Sequence, residues 1–534
     1  MKTVLIFFNK VFFLFLISCS IAGPEYERSP NIIFIIVDDQ NMELSSFNRE
    51  YIQSPNMDRL ASRGIVFTNA YVQQAVCAAS RASFLTGLHP ESTGVEYPYS
   101  YYFIEEVIPK YNTIPGHFFR NGYYTRLFGK IHHGYSETVS ETNYSPGGTR
   151  YVSPENIRID KELGSEGVPP YEMYDGPDSL FRDCRTADAV VRAIAGAAEK
   201  HQPFFFAVGF SKPHLPFSAP KKYWDLYERE SIPLAQNNYR PEGYPDIAIS
   251  RYNLNQYKWE HDIADSVFSE DYQRLLRHAY FACTSFVDAQ IGKILDQIRE
   301  SGIEEDTYIV YISDHGFHLG EQIHWGKTTL YESSLRSPVI IAGEKPINQN
   351  KRCNALVEYV DIMPTLMELA GVEVPDHAEG ISLVPLLQDP GRSFKNAVFS
   401  RQEKDAIGRR KGYSVRNDRY RYTEYHDHVN NRIMARELYD LDSDPLETYN
   451  MAIDSENENL VNELSQLLQN GWKKALPEWV TKFPDNPEAP PAYSWGAEGI
   501  PRREIWHEIY GGSEEEGWRK ATERRLEKGG DFKW

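Results

Sequence analysis

A reactive side chain stands at the start of a short predicted helix. Cys77 comes three residues before the run Ser80–Leu85, which we interpret as helical, and Arg81 follows one turn after the cysteine. Free amide N–H groups at a helix N-terminus attract anions, and an arginine adds a fixed fork of hydrogen-bond donors. The pattern predicts that Cys77 lies at a site that favours anions. The alternative is a buried cysteine that packs as a small apolar side chain.

Oxygen ligands for a metal ion follow two of the predicted strands. Asp38 and Asp39 come directly after one apolar run, and Asp314 and His315 come after another, with Ser313 between them and the run. Carboxylates with few nitrogen ligands suit calcium or magnesium better than zinc. We therefore predict one divalent cation at these residues. Each pair also has a purely structural interpretation, because the aspartate pair can cap a helix and the Asp-His pair can form a turn.

Basic side chains that can bind anions or transfer protons lie in three further segments. They are Lys130, His132, His133, His214 and Lys327. The unperturbed pKa of histidine lies near neutrality, which suits a general acid or base. Taken one at a time, these side chains have the simpler interpretation of solvated or turn-forming groups. Their order along the chain, together with Cys77, favours a common site.

The same segments resemble the motifs of the type I sulfatase family. Cys77-Ala78-Ala79-Ser80-Arg81, followed by Thr86-Gly87, is similar to its maturation signal, and Gly129-Lys130 is similar to the centre of its second signature. Glu437–Glu447 resembles the signature of its C-terminal subdomain. The resemblance extends from Asn31 to Asn450 and implies a sulfuric ester hydrolase.

This resemblance implies a role for each candidate residue. Cys77 would be oxidised to Cα-formylglycine, whose hydrated aldehyde attacks sulfur. One calcium ion per chain would be held by five residues, and three basic residues would form the sulfate pocket. The calcium ligands would be Asp38, Asp39, Cys77, Asp314 and His315, and the pocket residues Arg81, Lys130 and Lys327.

The proton transfers are implied by the same resemblance. His214 or Lys327 would protonate the leaving sugar oxygen, and a histidine after Lys130 would deprotonate the second hydroxyl so that sulfate is expelled. Many sulfatases have Lys-x-His, which favours His132. The iduronate-2-sulfatase group has Lys-x-x-His before glycine, which favours His133, our first choice.

One position departs from the commoner family pattern and bears on a predicted partner. Ala79 stands two residues after the cysteine, where most family members have proline. Some maturation enzymes of the family accept alanine there. We therefore expect a formylglycine-generating maturation enzyme as a partner, and its type stays open.

Long apolar runs predict the sheet that positions these residues. Asn31–Val37, Phe204–Val208 and Thr307–Ile312 are typical of parallel strands buried on both faces, and apolar residues recur at helical spacing over Val287–Ile298. Such patterns predict an α/β sheet that binds ligands beyond the carboxyl ends of its strands. The resemblance implies an alkaline-phosphatase-like fold with a large mixed sheet flanked by helices, over residues 24–390.

The pattern changes after residue 390. Short strand-like runs at Ala397–Ser400, Tyr413–Arg416 and Tyr420–Tyr425 precede a helical segment over Glu456–Trp472. We predict a smaller α+β subdomain with an antiparallel sheet over residues 391–534. Earlier in the chain, the Gly/Pro/Ser/Tyr-rich stretch Gly134–Pro177 predicts long surface loops.

Composition and charge restrict the partners. The chain has 534 residues, of which 41% are hydrophobic, and a formal net charge of -19, which argues against nucleic acid. An anionic substrate must then be captured by a local basic pocket. Of the five cysteines, acylation of Cys19 and oxidation of Cys77 leave three, enough for one disulfide at most.

The N-terminus predicts export. Lys2 and Lys10 supply positive charge before the apolar core Val11–Ile17, which is too short to span a bilayer, and Leu16-Ile17-Ser18-Cys19 resembles a bacterial lipobox. We expect residues 1–18 to be a lipoprotein signal peptide and Cys19 to carry palmitate, which would anchor the protein to a membrane at the cell surface or periplasmic face. The alternative is an ordinary signal peptide cleaved nearby.

The amino-acid sequences of three segments narrow the expected class of substrate. Ser211–Phe217, Ser313–Glu321 and Tyr280–Asp288 are similar to segments of the iduronate-2-sulfatase group. The resemblance implies a sulfated, uronic-acid-containing polysaccharide or oligosaccharide, with algal ulvan as one candidate. Two alternatives stay open, a phosphoester or phosphonate hydrolase of the same superfamily and a non-catalytic, glycan-binding surface lipoprotein.

Overall fold

The computed structural model of the chain describes residues 29–48, 51–95, 113–133, 143–249, 254–257, 268–344, 346–404 and 410–480. The predicted signal peptide, the lipidation site Cys19 and the terminal residues 481–534 lie outside the described residues. Within the described ranges, no helix combines the length and the apolar character needed to cross a membrane.

The strands form one large sheet, a smaller antiparallel sheet and short two-stranded pairs. In chain order they are β1 Asn31–Asp38, β2 Gly64–Phe67, β3 Ala70–Tyr71, β4 Tyr124–Gly129, β5 Tyr171–Tyr174, β6 Phe204–Pro213, β7 Phe217–Pro220, β8 Thr307–Ser313, β9 His318–Leu319, β10 Trp325–Gly326, β11 Val339–Ala342, β12 Lys351–Cys353, β13 Val357–Glu358, β14 Ala397–Glu403, β15 Arg410–Asn417, β16 Tyr420–Asp427 and β17 Arg432–Asp440.

The large sheet has the order β12-β2-β11-β8-β1-β6-β4. Strand β1 pairs in parallel with both β6 and β8, whereas β11 runs antiparallel to β8 and β2. Every residue of β1 is buried, as expected for a central strand that is covered on both faces. The predicted mixed sheet is therefore confirmed, and the three predicted strands are its centre.

Helices cover both faces of this sheet. The α-helices of the described residues, the last of which packs on the smaller sheet, are Pro55–Ser62, Cys77–Thr86, Pro90–Thr93, Ile114–Arg120, Pro154–Leu163, Arg182–Glu199, Lys221–Trp224, Glu270–Glu300, Glu332–Leu335, Ile362–Leu369, Val384–Gln388 and Glu458–Asn470. The helical spacing predicted over Val287–Ile298 belongs to the longest of them. Its N-terminus is capped by Ser269, whose hydroxyl accepts a hydrogen bond from the amide of Tyr272.

Alternate residues of β1 enter two separate apolar cores. Ile33 packs in the core that contains the helices Arg182–Glu199 and Glu270–Glu300, whereas Phe34 packs in the core that contains the helix Cys77–Thr86. Each fully buried side chain of this size contributes about 2 kcal/mol through removal of apolar surface from water. The cysteines that the structure describes are buried free thiols, so these cores, without disulfides among them, stabilise the described fold.

The smaller sheet has the antiparallel order β14-β15-β16-β17, as predicted for the C-terminal part of the chain. The helix Glu458–Asn470 packs against one face of it through Val461, Leu464 and Leu468. The predicted division of the chain at residue 390 stays a prediction. Buried contacts join the two sides of it. Lys395, for example, forms an ion pair with Asp361 at 2.8 Å.

The prediction of long loops over Gly134–Pro177 is wrong for part of that range. Residues 134–142 lie outside the described residues, but a helix forms over Pro154–Leu163 and strand β5 pairs in parallel with β7. The helix begins after Ser153, whose hydroxyl accepts a hydrogen bond from the amide of Asn156. None of its residues is buried, so it lacks the apolar periodicity that would reveal it in the sequence.

Candidate active site

Cys77 is the first residue of the helix Cys77–Thr86, and its side chain is buried. Its Sγ atom lies 2.9 Å from Nζ of Lys327 and 3.3 Å from Nε2 of His315. Burial alone would raise the pKa of the thiol, but the ammonium groups of Lys130 and Lys327 lower it below its usual value. The sulfur therefore lies at a helix N-terminus among groups that stabilise negative charge.

The acidic residues converge because of sheet topology. Strands β1 and β8 are parallel neighbours, so Asp38-Asp39 and Asp314-His315 emerge at the same edge. The amide of Asp39 donates a hydrogen bond to Oδ1 of Asp314 at 3.0 Å. One ligand atom from each of four buried residues lies within 4.8 Å of all the others, and these residues are Asp39, Cys77, Asp314 and His315.

This donor set fits a divalent cation. Nδ1 of His315 donates a hydrogen bond to the carbonyl of Gly316 at 2.9 Å, which turns Nε2 towards Asp39 at 3.4 Å. Although burial opposes it, the carboxylate of Asp314 raises the pKa of His315 to about 9. A cation bound in the cluster would take the place of that proton. The carboxylate oxygens suit a hard ion such as calcium.

Asp38 lies between two cationic side chains at the edge of this cluster. Its Oδ1 atom is 3.2 Å from Nη2 of Arg81, and its Oδ2 atom is 2.5 Å from Nζ of Lys130. Burial would raise the pKa of this carboxyl group, but Lys130, with further contributions from His214 and Arg81, lowers it well below its usual range. Asp38 is therefore an ionised partner of the basic residues, and its role as a metal ligand stays a prediction.

Three basic residues surround the cluster as the sequence predicts. Nε of the buried Arg81 donates to Oδ2 of Asp314 at 3.0 Å, and its Nη1 donates to the carbonyl of Ile131 at 2.9 Å. Nζ of Lys327 lies 2.6 Å from Oδ1 of Asp39. Together with Lys130 they place three cationic side chains against the carboxylates of the site, in a chain whose net charge is -19.

His214 directly follows strand β6, and burial together with the charged side chains of the site shifts the pKa of its imidazole. Burial lowers the pKa of its imidazole to about 4, although the nearby carboxylates of Asp39 and Asp38 act in the opposite direction. Its Nδ1 atom donates to the carbonyl of Leu215 at 2.6 Å, and Lys212 donates to the carbonyl of His214 at 3.1 Å. The imidazole is thus fixed by its own backbone segment.

The two adjacent histidines after Lys130 occupy different surroundings. Burial, followed by the charge of Lys130, lowers the pKa of His133 to about 3, and Asp38 and Arg81 also act on this imidazole. His132 is buried. The charges of the pocket act on His133, and the choice between the two histidines as the base stays a prediction.

The sequence patterns did not assign two residues that hold the site together. The hydroxyl of Tyr280 donates to the carbonyl of Asp39 at 2.7 Å, and the amide of Asn41 donates to that hydroxyl at 2.8 Å. Ser80 donates a short hydrogen bond to the carbonyl of Asp314. Tyr280 belongs to the segment Tyr280–Asp288, whose sequence resembles the family, but that resemblance does not assign a role to the tyrosine.

Comparisons with known proteins agree with this geometry. The family model named Sulfatase matches residues 30–372, and the model named N-sulphoglucosamine sulphohydrolase, C-terminal, matches residues 320–474. Iduronate 2-sulfatase of Homo sapiens is 31% identical over 509 residues, which cover 80% of this chain and 92% of that protein.

Solved structures share the fold at lower sequence identity. A complex with the substrate D-glucosamine-2-N,6-O-disulfate has a TM-score of 0.65 and 24% identity, and covers 84% of this chain and 98% of its own. Phosphonate monoester hydrolase of Agrobacterium radiobacter has a TM-score of 0.67 and 22% identity, with 82% and 94% covered. At this identity the likeness concerns the fold alone.

Proposed function

Because the chain belongs to the sulfatase family and is a sulfuric ester hydrolase, we propose that it removes sulfate from a uronic-acid-containing polysaccharide or oligosaccharide, with Cys77 as formylglycine. The observation that carries the proposal is the position of Cys77. Its sulfur lies at a helix N-terminus, 2.9 Å from Nζ of Lys327 and 3.3 Å from Nε2 of His315. A nucleophile there would meet a sulfate group whose charge is balanced on several sides.

The chain's own residues account for binding of the anion. A calcium ion held by the acidic cluster would add positive charge, and oxidised Cys77 would supply the nucleophilic hydroxyl. Arg81, Lys130 and Lys327 would hold the sulfate oxygens, since each forms an ion pair with Asp38 or Asp39 next to Cys77. Preorganised donors of this kind stabilise charge in the transition state without reorganising during the reaction.

The histidines are suited to the two proton transfers. With a pKa of about 3, His133 is neutral at physiological pH, and the negative charge of a bound sulfate group would raise that pKa towards the range of an efficient proton acceptor. His214 is also neutral in the free protein, with a pKa of about 4. A bound sulfate ester would raise that pKa, because a nearby negative charge favours the imidazolium form. His214 would then protonate the leaving sugar oxygen, with Lys327 as the other candidate.

The proposed substrate class is supported by a relative and by charge. Iduronate 2-sulfatase of Homo sapiens, at 31% identity, acts by its name on a uronic acid. Both glycosaminoglycans and ulvan carry uronic acids and are polyanions, so a local basic pocket must capture them against the chain's net charge of -19. We lean towards ulvan, given the predicted bacterial export signal.

Sulfate release from defined oligosaccharides tests this substrate class. Oligosaccharides of heparan, dermatan and ulvan should be compared with a small aryl sulfate at equal sulfate concentration. We expect turnover of at least one glycan to exceed that of the aryl sulfate. Turnover of the aryl sulfate with refusal of all three glycans would contradict the polysaccharide assignment, and would leave the sulfatase assignment intact.

A phosphonate hydrolase is the second candidate function, because a phosphonate monoester hydrolase shares the fold. Matched sulfate and phosphonate esters with the same leaving group distinguish the two. We expect the sulfate ester to have the higher kcat/KM. The third alternative, a non-catalytic glycan-binding lipoprotein, is not supported by membership of an enzyme family. Anchoring through Cys19 and maturation by a formylglycine-generating enzyme belong to the proposal.

A further inference from the structure

The segment that carries Lys327 lies between the metal cluster and the C-terminal sheet. At one end, Nζ of Lys327 contacts Asp39 at 2.6 Å and Cys77 at 2.9 Å. Four residues later, the hydroxyl of Tyr331 donates to Oε1 of Glu437 in strand β17 at 2.7 Å. A single short segment therefore joins the candidate catalytic lysine to a different sheet.

Glu437 is an unusual residue for the interior of a sheet face. It is 2% exposed, and its carboxylate accepts hydrogen bonds from three tyrosine hydroxyls. Tyr331 and Tyr439 donate to Oε1 at 2.7 and 2.6 Å, and Tyr425 donates to Oε2 at 2.6 Å. A buried carboxylate is costly unless its oxygens are hydrogen-bonded. These hydroxyls stabilise it, and one of them belongs to the Lys327 segment.

Two further contacts fix the same segment on the C-terminal sheet. The amide of Glu332 donates to Oε2 of Glu447 at 2.8 Å, and the Glu332 carboxylate pairs with the buried Arg421. Leu330 approaches the sheet at Gly412, where an added Cβ atom would lie only 2.6 Å from Leu330 Cδ1. The segment is thus attached to this sheet by packing, by hydrogen bonds and by an ion pair.

The backbone next to Lys327 is strained. Thr328 has a φ of +72°, a left-handed conformation that β-branched residues rarely adopt. Such strain persists only when surrounding contacts hold the chain in place. Nζ of Lys404, at the end of β14, donates to the carbonyl of Thr328 at 3.4 Å, which adds a contact from the same sheet.

We propose that Glu437 is a positioning residue for Lys327 and acts through Tyr331. By holding the Tyr331 hydroxyl, Glu437 keeps the strained segment in the conformation that places the Lys327 ammonium on Asp39 and Cys77. The C-terminal sheet is then a working part of the active site. This inference rests on the proposed role of Lys327 in sulfate binding.

A matched pair of variants tests the inference. Tyr331→Phe and Tyr439→Phe each remove one phenol hydroxyl that donates to Oε1 of Glu437, but only Tyr331 lies on the Lys327 segment. We expect Tyr331→Phe to lower kcat/KM for the sulfate ester about tenfold or more, since small displacements of a catalytic group are costly. Tyr439→Phe leaves the Lys327 segment its own hydrogen bond to Glu437, so it should lower kcat/KM less than Tyr331→Phe does, with a similar shift in unfolding temperature.

A double-mutant cycle separates positioning from general stability. In a Lys327→Met background, Tyr331→Phe should cause no further loss of kcat/KM, because the group that it positions is gone. Equal losses in Tyr331→Phe and Tyr439→Phe, wild-type kcat/KM in Tyr331→Phe, or additive losses in the cycle would overturn the inference. If Lys327→Met itself keeps wild-type activity, the proposed role of Lys327 fails, and the positioning inference fails with it.

Discussion

Nζ of Lys327 lies 2.9 Å from Sγ of Cys77, although 250 residues separate them in the chain. The lysine reaches the cysteine from a segment attached to the C-terminal sheet, whereas the cysteine begins a helix packed on the large sheet. The candidate nucleophile and its cationic neighbour therefore depend on different parts of the fold. Changes at either part should be visible in catalysis.

Replacing Lys327 with methionine should lower kcat/KM for sulfate esters about a hundredfold or more. The change keeps the apolar stem and removes the ammonium that would stabilise negative charge in the transition state. Steady-state sulfate release measures the effect. Lys221→Met is the matched control, because Lys221 is a surface lysine paired with Asp225, and it should keep wild-type activity. Equal activity of the two variants would contradict the role of Lys327.

Asp314→Asn should remove both bound calcium and activity. The substitution keeps the shape of the side chain but removes a negative charge that faces Arg81 and the other candidate metal ligands. Calcium content after dialysis should fall below one ion per chain, and sulfate release should fall about a hundredfold or more. Asp188→Asn, which changes an exposed carboxylate on the helix Arg182–Glu199 that is paired with Lys293, should change neither. A metal-free preparation with full activity would refute the metal site.

His89 should make stability depend on pH. Although burial opposes it, the carboxylates of Glu358, 3.7 Å from Nε2, and Glu379, hydrogen-bonded to Nδ1 at 3.0 Å, raise the pKa of His89 to about 10, above the unfolded value of 6.5. Its stabilising contribution is therefore fully present below pH 6.5 and is lost as pH rises towards 10. Below pH 6.5, His89→Gln should lower the free energy of unfolding by about 3 kcal/mol.

Urea unfolding of the wild type and His89→Gln across this pH range measures the effect. The difference in unfolding free energy should shrink as pH rises from 6.5 towards 10. His201→Gln, at a surface turn, serves as the control and should show no such trend. A difference that is independent of pH would mean that the charge on His89 does not stabilise the fold.

Cys19→Ser should release the protein from the membrane fraction of a bacterial host. The motivation is the lipobox-like run Leu16-Ile17-Ser18-Cys19, because acylation needs the thiol. Fractionation followed by immunoblotting measures the distribution, and Ser20→Ala should behave as the wild type. An unchanged distribution of Cys19→Ser would indicate ordinary signal cleavage or another anchor.

The residues that converge at the sheet edge could be predicted because their signals are local. Asp38 directly follows one apolar run, Asp314 follows another after a single serine, and parallel neighbouring strands end at the same edge. Cys77 and Arg81 are four residues apart on one helix, so their spacing alone predicts that their side chains lie on the same face. The sequence therefore contained both the central sheet and the grouping of these side chains, although it does not assign a role to each.

Long-range and solvent-exposed features could not be predicted in the same way. Tyr331 and Glu437 are 106 residues apart, and the packing of the Lys327 segment on strand β17 brings them together. The helix Pro154–Leu163 has no buried residue, so it carries no apolar stripe for a sequence pattern to detect. Tyr280 donates a hydrogen bond to the carbonyl of Asp39 from the helix Glu270–Glu300. The apolar periodicity of that helix predicts its packing and does not predict this contact.

The mass of the peptide that contains Cys77 tests the central claim most directly. The protein should be produced with a formylglycine-generating enzyme, digested and analysed alongside Cys77→Ala, while sulfate release is measured on the same samples. We predict that Cys77 is found as the aldehyde, that the aldehyde fraction tracks sulfate release, and that Cys77→Ala is folded and inactive. Full sulfate release from protein that contains only the unmodified Cys77 thiol would contradict the account.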